Sequence, residues 1–173
     1  MPDKSFYESL PYGIQYARDR LRESPDPRQN RWMSYEISTD KARLDLAAIH
    51  AYLSTSYWSP GVPLAVVARA IEHSLCFGVF HEGAQVGFAR VVTDRATFAY
   101  LADVYLLEDH RGQGVARELV GAVMAHPDLQ GLRRMLLATR DAHGLYAKFG
   151  FKPLASPGVM MEVHRPDVYR AAA

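Results

Sequence analysis

The chain has 173 residues, of which 49% are hydrophobic and 23% are charged, with 20 Lys and Arg residues against 19 Asp and Glu residues. This composition is typical of one globular domain, and the length is sufficient to bury a core without disulfides or a metal. A net charge of +1 gives neither a basic field for nucleic acid nor an acidic excess typical of disorder. The single cysteine, Cys76, excludes an intramolecular disulfide and favours a reducing compartment.

No targeting segment or membrane span is expected. A signal peptide needs an unbroken apolar core near its start, where this chain carries Asp3, Glu8 and Pro11. The longest apolar stretches, at residues 62–71 and 98–107, are much shorter than the roughly 20 residues that span a bilayer. We therefore predict a cytoplasmic protein with no membrane partner and no nucleic-acid partner.

The first part of the chain differs from the rest. Prolines are scattered among charges over residues 1–31, which we interpret as an N-terminal extension that ends in a linker at residues 24–30. Residues 32–173 form the predicted domain. No internal repeat or low-complexity tract divides it.

The domain begins with one strand and two helices, followed by strands. Apolar spacing and turn residues predict a strand at 35–38, a helix over 44–54, a helix from Pro63 to about His73, strands at 75–80 and 85–93 joined as a hairpin through 81–84, and a strand at 97–107. In the second half of the domain, predicted helices and strands alternate. This half has a predicted helix after Gly114 that ends at Pro127, a buried strand at 134–138, a short helix over 142–148 stopped by Gly150, and a last strand at Val159–Val163. This order predicts a mixed α and β domain.

A glycine-containing loop, Arg111-Gly112-Gln113-Gly114-Val115-Ala116, lies between the strand that ends at Leu107 and the helix after Gly114. Glycines let backbone amides approach an anion, and the start of a helix adds unpaired N–H groups and the positive end of the helix dipole. Arg111 adds a full positive charge. The loop is therefore a candidate phosphate site.

Three other interpretations of this loop differ in the residues that they require. A dinucleotide-binding fingerprint needs glycine where Arg117 stands and an acidic residue about 20 positions later, where residues 131–134 offer none. A P-loop needs Gly-Lys followed by Ser or Thr, which is absent. A surface turn that merely caps a helix remains open.

Two motifs together carry a resemblance to a known family. Arg111-x-x-Gly114-x-Ala116 resembles the acyl-CoA pyrophosphate loop of the GNAT (GCN5-related) N-acetyltransferases, and Leu145-Tyr146-x-Lys148-x-Gly150-Phe151 resembles the family's second segment. The resemblance covers about residues 35–163 and includes a bacterial subgroup of unassigned substrate. It implies an α/β (α+β) GNAT fold, with a mixed, mostly antiparallel central sheet flanked by helices.

The resemblance also implies an activity, the transfer of an acetyl group from acetyl-CoA to a primary amine of an unidentified acceptor. The implied cofactor-binding residues are Val104, Tyr105, Leu106, Arg111, Gly112, Gln113, Gly114, Val115, Ala116, Thr139 and Tyr146. Many family members have Asn at the position of Thr139, where it helps to hold the pantetheine arm. A regulatory module that binds acyl-CoA without catalysis is the alternative function. Homodimers are common in such folds, but the sequence identifies no surface for one.

Two residues are candidates for acid–base catalysis. Tyr146 corresponds to the family's general acid, which protonates the departing thiolate, and its alternative role is a core aromatic. Asp103 interrupts an apolar strand, so it either faces a cleft and accepts the amine proton or pairs with an arginine such as Arg90. His143, three residues before Tyr146, is a weaker candidate, because a solvated histidine is the commoner state.

The acceptor-binding site is the part of the proposed active site for which the sequence gives the fewest signals. Tyr57 and Trp58, with Asp103, are the predicted acceptor-binding residues, since rings and a carboxylate suit a cationic amine on an apolar or aromatic body. A buried staple between helices is the alternative for the two rings. The histidines at 73, 81 and 110 show no metal-ligand spacing, so no metal is predicted.

Overall fold

The computed structural model describes residues 34–169, so the predicted extension at residues 1–31 lies outside the described residues. The helices and strands are β1 (Tyr35–Ser38), α1 (Leu46–Leu53), α2 (Leu64–Glu72), β2 (Leu75–His81), β3 (Ala84–Thr93), β4 (Phe98–Leu106), α3 (Val115–Ala125), β5 (Arg134–Leu137) and α4 (His143–Ala147). Short 3₁₀ turns occur at Lys41–Arg43, Glu108–His110, Pro127–Leu129 and Pro157–Val159.

The five strands form one sheet in the order β1-β2-β3-β4-β5. Neighbouring strands from β1 to β4 are antiparallel, whereas β5 runs parallel to β4. The hairpin between β2 and β3 turns at Glu82 and Gly83, whose φ angles of 51° and 84° give the turn a twist that matches the strands. The predicted mixed, mostly antiparallel sheet flanked by helices is confirmed.

Helices cover both faces of the sheet. On one face, α3 and α4 pack on β2 to β4, with Phe77 and Leu119 among the side chains that are completely or almost completely buried. On the other face, α1 and α2 cover Phe88 and Tyr105. Among residues 34–169, no helix has the length and apolar character needed to cross a bilayer.

The helix ends follow local chemistry. The carboxylate of Asp45 accepts a hydrogen bond from the Ala48 N–H, so α1 begins at Leu46, two residues after the predicted start. Pro63 stands at the N-cap of α2, and α3 ends at Ala125, two residues before Pro127. These boundaries are within about two residues of those that the sequence predicts.

The predicted last strand at Val159–Val163 is wrong. A 3₁₀ turn covers Pro157–Val159, and residues 160–163 pair with no other described strand. The apolar residues at 159–161 and 163 suggested a strand, but Met161 and Val163 are 96% and 87% exposed. A strand needs a partner edge to satisfy its backbone, and a short apolar segment carries no information about whether such an edge is within reach.

β4 has a β-bulge just beyond the point where its pairing with β5 ends. Phe88 pairs with Tyr105 but Arg90 pairs with Ala102, so Asp103 and Val104 together oppose one residue of β3. Pairing between β4 and β5 stops at Leu101, so within the described part of the chain residues 102–106 have a strand partner on one side only. The two parallel strands therefore diverge and open a cleft at this end of the sheet.

Candidate active site

A cavity of about 1030 Å³ occupies the space between the diverging strands. Its walls come from the second half of β4, the loop between α1 and α2, the start of α3 and the segment from β5 to α4. The cavity brings together most of the predicted site residues, namely Tyr57, Trp58, Asp103, Val104, Tyr105, Leu106, Arg111, Gly112, Ala116, Thr139 and Tyr146. Gln113 and Gly114, in the adjoining loop, and Val115, the first residue of α3, are not part of the lining.

The glycine loop presents a row of free backbone donors. Gly114 is the N-cap residue of α3 with a φ of 87°, a left-handed conformation that favours glycine. Among the described residues, none accepts a hydrogen bond from the amides of residues 112–116, whereas the Arg111 amide donates to the Glu108 carbonyl at 3.0 Å. Five consecutive N–H groups at a helix start are therefore available to an anion.

The Arg111 side chain bridges two walls of the cleft. Its Nε donates to the Leu106 carbonyl at 3.0 Å and its guanidinium donates to the Tyr52 hydroxyl at 3.1 Å. Tyr52, at the end of α1, stacks on Tyr105 with 3.7 Å between ring centroids. Sequence reasoning missed Tyr52, although an aromatic residue five positions before Tyr57 was an available signal.

Asp103 lies at the bulge and is held by two donors. Its φ is 54°, an uncommon conformation for a residue other than glycine. One carboxylate oxygen accepts from Arg90 Nε at 2.6 Å and the other from Trp58 Nε1 at 3.1 Å. The Arg90 partner that the sequence left open is therefore present, and the side chains of the pair are only 18% and 10% exposed. Removing one member of such a buried pair typically costs about 3–5 kcal/mol of stability.

Tyr146 places an unpartnered hydroxyl in the cleft. The residue is 7% exposed, and its ring contacts Phe151 edge to face. Its hydroxyl makes no hydrogen bond to any residue between 34 and 169. Burial, followed by the nearby Tyr57 and Asp141, raises the pKa of Tyr146 to about 12. The phenol is therefore protonated at every physiological pH and has a hydrogen to donate.

Thr139 and His143 lie on either side of the start of α4. The Thr139 hydroxyl accepts from the Ala142 N–H at 3.0 Å, which caps the turn that leads into α4. That hydroxyl retains its own hydrogen as a donor. His143 is exposed and does not line the cleft.

Two aromatic rings form the mouth of the cleft. Tyr57 and Trp58 are 52% and 39% exposed and meet edge to face at 4.9 Å between centroids. The guanidinium of Arg140, which the sequence analysis did not single out, lies 3.6 Å from the centre of the Tyr57 ring. This contact connects the α1–α2 loop to the segment after β5 across the mouth. Neither ring is a buried staple between helices.

Within residues 34–169, no group of three or more His, Cys, Asp or Glu side chains is arranged to hold a metal ion. The cleft instead offers amide donors, guanidinium groups, two carboxylates, Asp103 and Asp141, and five phenols, of which Tyr146 is the proposed acid. Amide donors at a helix start suit a phosphate group. An unpaired strand edge suits an extended ligand with amide groups of its own.

Comparisons with known proteins agree with this architecture. Residues 34–151 match the model of the acetyltransferase (GNAT) family. A Gibberella zeae protein named as an acetyltransferase is 35% identical over 137 residues, which are 66% of this chain and 76% of that protein. A solved GNAT-family structure from Xanthomonas campestris pv. campestris is 57% identical, with a TM-score of 0.76, and the match covers 78% of this chain and 96% of that one.

A more distant structure shares the fold. An acetyltransferase from Clostridium acetobutylicum, solved with acetyl-CoA, is 14% identical with a TM-score of 0.55, and the match covers 75% of this chain and 94% of that one. The family model spans more than half of the present chain and coincides with the sheet and the cleft. The chain therefore belongs to the GNAT family of acetyltransferases and is an acyltransferase.

Proposed function

We propose that this protein transfers an acetyl group from acetyl-CoA directly to a primary amine of an acceptor. The observation that carries the proposal is the row of free amides at residues 112–116, which ends at a cleft that contains the unpartnered Tyr146 hydroxyl. An anion site and a proton donor at one cleft are the two groups that acyl transfer from a nucleotide thioester needs.

The chain has suitable groups along the length of acetyl-CoA. The amides of residues 112–116 would bind the pyrophosphate, with Arg111 adding positive charge beside them. The free edge of β4 at Val104, Tyr105 and Leu106 would hold the pantetheine arm and polarise the thioester carbonyl. Thr139 would donate its remaining hydroxyl hydrogen to that arm.

The reaction forms an N–C bond, breaks the C–S bond and moves one proton from the amine. In this proposal, Asp103 accepts the amine proton on a lone pair that Arg90 and Trp58 leave free, directly or through water. Tyr146 donates its hydroxyl hydrogen to the departing sulfur and is reprotonated from solvent. The thioester supplies the leaving group, so no metal or redox group is required.

The high pKa of Tyr146 is compatible with this role because thiols respond to burial in the same direction. In this protein, burial is the main cause that raises the pKa of the Cys76 thiol to about 11. A thiolate that departs inside the cleft experiences the same loss of hydration. If burial raises the pKa of the leaving sulfur as it raises that of the phenol, the difference between the two pKa values stays about the same as in water.

A thiol-release assay tests the proposed function. The full-length protein is incubated with acetyl-CoA and a panel of primary amines, while calorimetry measures the affinity for acetyl-CoA. We expect binding of acetyl-CoA and amine-dependent release of free thiol with at least one class of amine. Tight binding without release for any amine would favour the regulatory module, and absence of binding would refute the proposal.

We also propose that Tyr57, Trp58 and Asp103 bind the acceptor. The expected result for Trp58→Ala is an acceptor KM raised by about tenfold with the acetyl-CoA KM unchanged, since an aromatic contact contributes about 0.5–1.5 kcal/mol. Trp58→Phe is the matched control, because it keeps a ring but removes the hydrogen bond to Asp103.

Asp103→Asn should raise the acceptor KM and lower kcat while preserving the shape of the side chain. A lowered melting temperature with unchanged acceptor kinetics would contradict the assignment.

A further inference from the structure

A second, smaller cavity of about 80 Å³ adjoins the cleft on the side of the sheet covered by α1 and α2. Its lining is mostly apolar and consists of Leu53, Ser59, Val62, Val66, Val67, Ala70, Ile71, Phe88, Arg90, Asp103 and Tyr169. Arg90 and Asp103 also line the large cleft. The ion pair between them is therefore the wall that the two spaces share.

The chemistry of this space suits a hydrocarbon. Among residues 34–169, Arg90 and Asp103 are the only charged residues that line it, and they are paired with each other at 2.6 Å. Apolar cavities hold apolar ligands better than water, which needs two to four polar partners, and a cavity of about 150 Å³ accepts benzene. A space of about half that volume fits a chain of three or four carbon atoms.

The cavity lies where a substituent on the proposed acceptor amine would extend. An amine nitrogen beside Asp103 would face the free edge of β4, where the proposed thioester lies, and a substituent on that nitrogen could continue past the ion pair. The Asp103 charge is balanced by Arg90, so attraction of an ammonium group alone gives little selectivity. Discrimination between amines then depends on the space next to the pair.

We propose, on the basis of the proposed function, that this 80 Å³ cavity binds the alkyl arm of the acceptor, and that the acceptor class is primary amines with an unbranched arm of about three or four carbons. The arm lies among Val66, Val67 and Ala70 of α2, and the amine stays at the Asp103 wall. Longer arms and branches at the second carbon exceed the space.

The test uses straight-chain amines from methylamine to hexylamine as probes. Calorimetry with the full-length protein measures their binding, and thiol release from acetyl-CoA measures their acetylation. We expect affinity to rise by about fourfold for each added methylene, the equivalent of about 0.8 kcal/mol, up to propylamine or butylamine, and then to level off.

Cavity-filling variants make the test specific. Ala70→Leu adds three carbon atoms inside the cavity and should remove most of the gain in affinity beyond methylamine. Ala65→Leu makes the same change at an exposed position of α2 and should leave the series unchanged. Val66→Leu is a second filling variant in case Ala70→Leu does not fold, as judged by its melting curve.

The outcomes separate this inference from the proposed function. Length-dependent binding that Ala70→Leu abolishes supports the cavity assignment even if no amine is acetylated, in which case only the proposed function fails. Acetylation with the same length dependence in the wild type, Ala70→Leu and Val66→Leu would overturn the cavity assignment and leave the proposed function intact. Absence of any length dependence in binding would overturn it as well.

Discussion

Replacing Tyr146 with Phe is expected to lower kcat by about 10² to 10⁴, the usual loss when a general acid is removed. The affinity for acetyl-CoA should change little, because the ring and its edge-to-face contact with Phe151 are retained. The hydroxyl has no partner among residues 34–169, so its removal breaks no internal hydrogen bond of that region. Steady-state thiol release and calorimetry on the same preparations measure the two quantities. Near-normal turnover would reduce Tyr146 to a packing role.

The pH dependence gives an independent check on the same residue. Tyr146 acts as a donor only when it is protonated, and burial raises its pKa to about 12, so its contribution is lost only as pH rises through that value. We therefore expect kcat for the wild type to show no decline from loss of this proton between about pH 6 and pH 10. If kcat of the wild type declined near pH 9 and kcat of Tyr146→Phe did not, the Tyr146 hydroxyl would ionise between pH 6 and pH 10. That result would contradict the effect of its burial.

Replacing Gly114 with Val is expected to weaken acetyl-CoA binding by about a hundredfold, which corresponds to the loss of two hydrogen bonds to a charged group at about 1.5 kcal/mol each. The φ of 87° disfavours valine, so the local backbone must shift and the amides of residues 112–116 lose their alignment. A Cβ at this position meets no atom of residues 34–169 within 4 Å apart from its chain neighbours, so the effect does not come from repacking of the core. Calorimetry with acetyl-CoA measures the change.

Gly131 provides a matched control for this strain. Its φ is 73°, a Cβ there also meets no atom of the described residues within 4 Å apart from its chain neighbours, and Gly131 lies outside the lining of the cleft. Gly131→Val should therefore lower the melting temperature to a similar degree while the affinity for acetyl-CoA stays close to that of the wild type. Unchanged acetyl-CoA affinity in folded Gly114→Val would refute the assignment of the pyrophosphate to this loop.

The features that the sequence predicted correctly depend on neighbours in the chain. Glu82 and Gly83 make the hairpin turn, Pro63 starts α2, and Gly114 starts α3. Turn formation and helix initiation depend on only a few consecutive residues, so the sequence predicts them. The periodicity of the apolar residues then determined which face of each helix is buried. The family motifs could be identified because the loop and the tyrosine segment are each contiguous.

The features that the sequence could not determine depend on residues far apart in the chain. Asp103 stood out as a charge within an apolar strand. Its partners Arg90 and Trp58 are 13 and 45 residues away and are brought to it by the strand register and by the α1–α2 loop. Tyr52 and Arg140 were missed for the same reason, since only the packed structure places them at the cleft.

The sequence by itself determined the fold class, and it predicted the glycine loop as a phosphate site and Tyr146 as the general acid, because local backbone preferences and contiguous motifs encode these features. The tertiary structure alone decided that Val159–Val163 pairs with none of the described strands and that β4 and β5 diverge near the bulge. It also decided that an ion pair separates the cleft from a small apolar cavity. These properties arise from strand register and from packing between distant segments, and a single local pattern is compatible with several such arrangements.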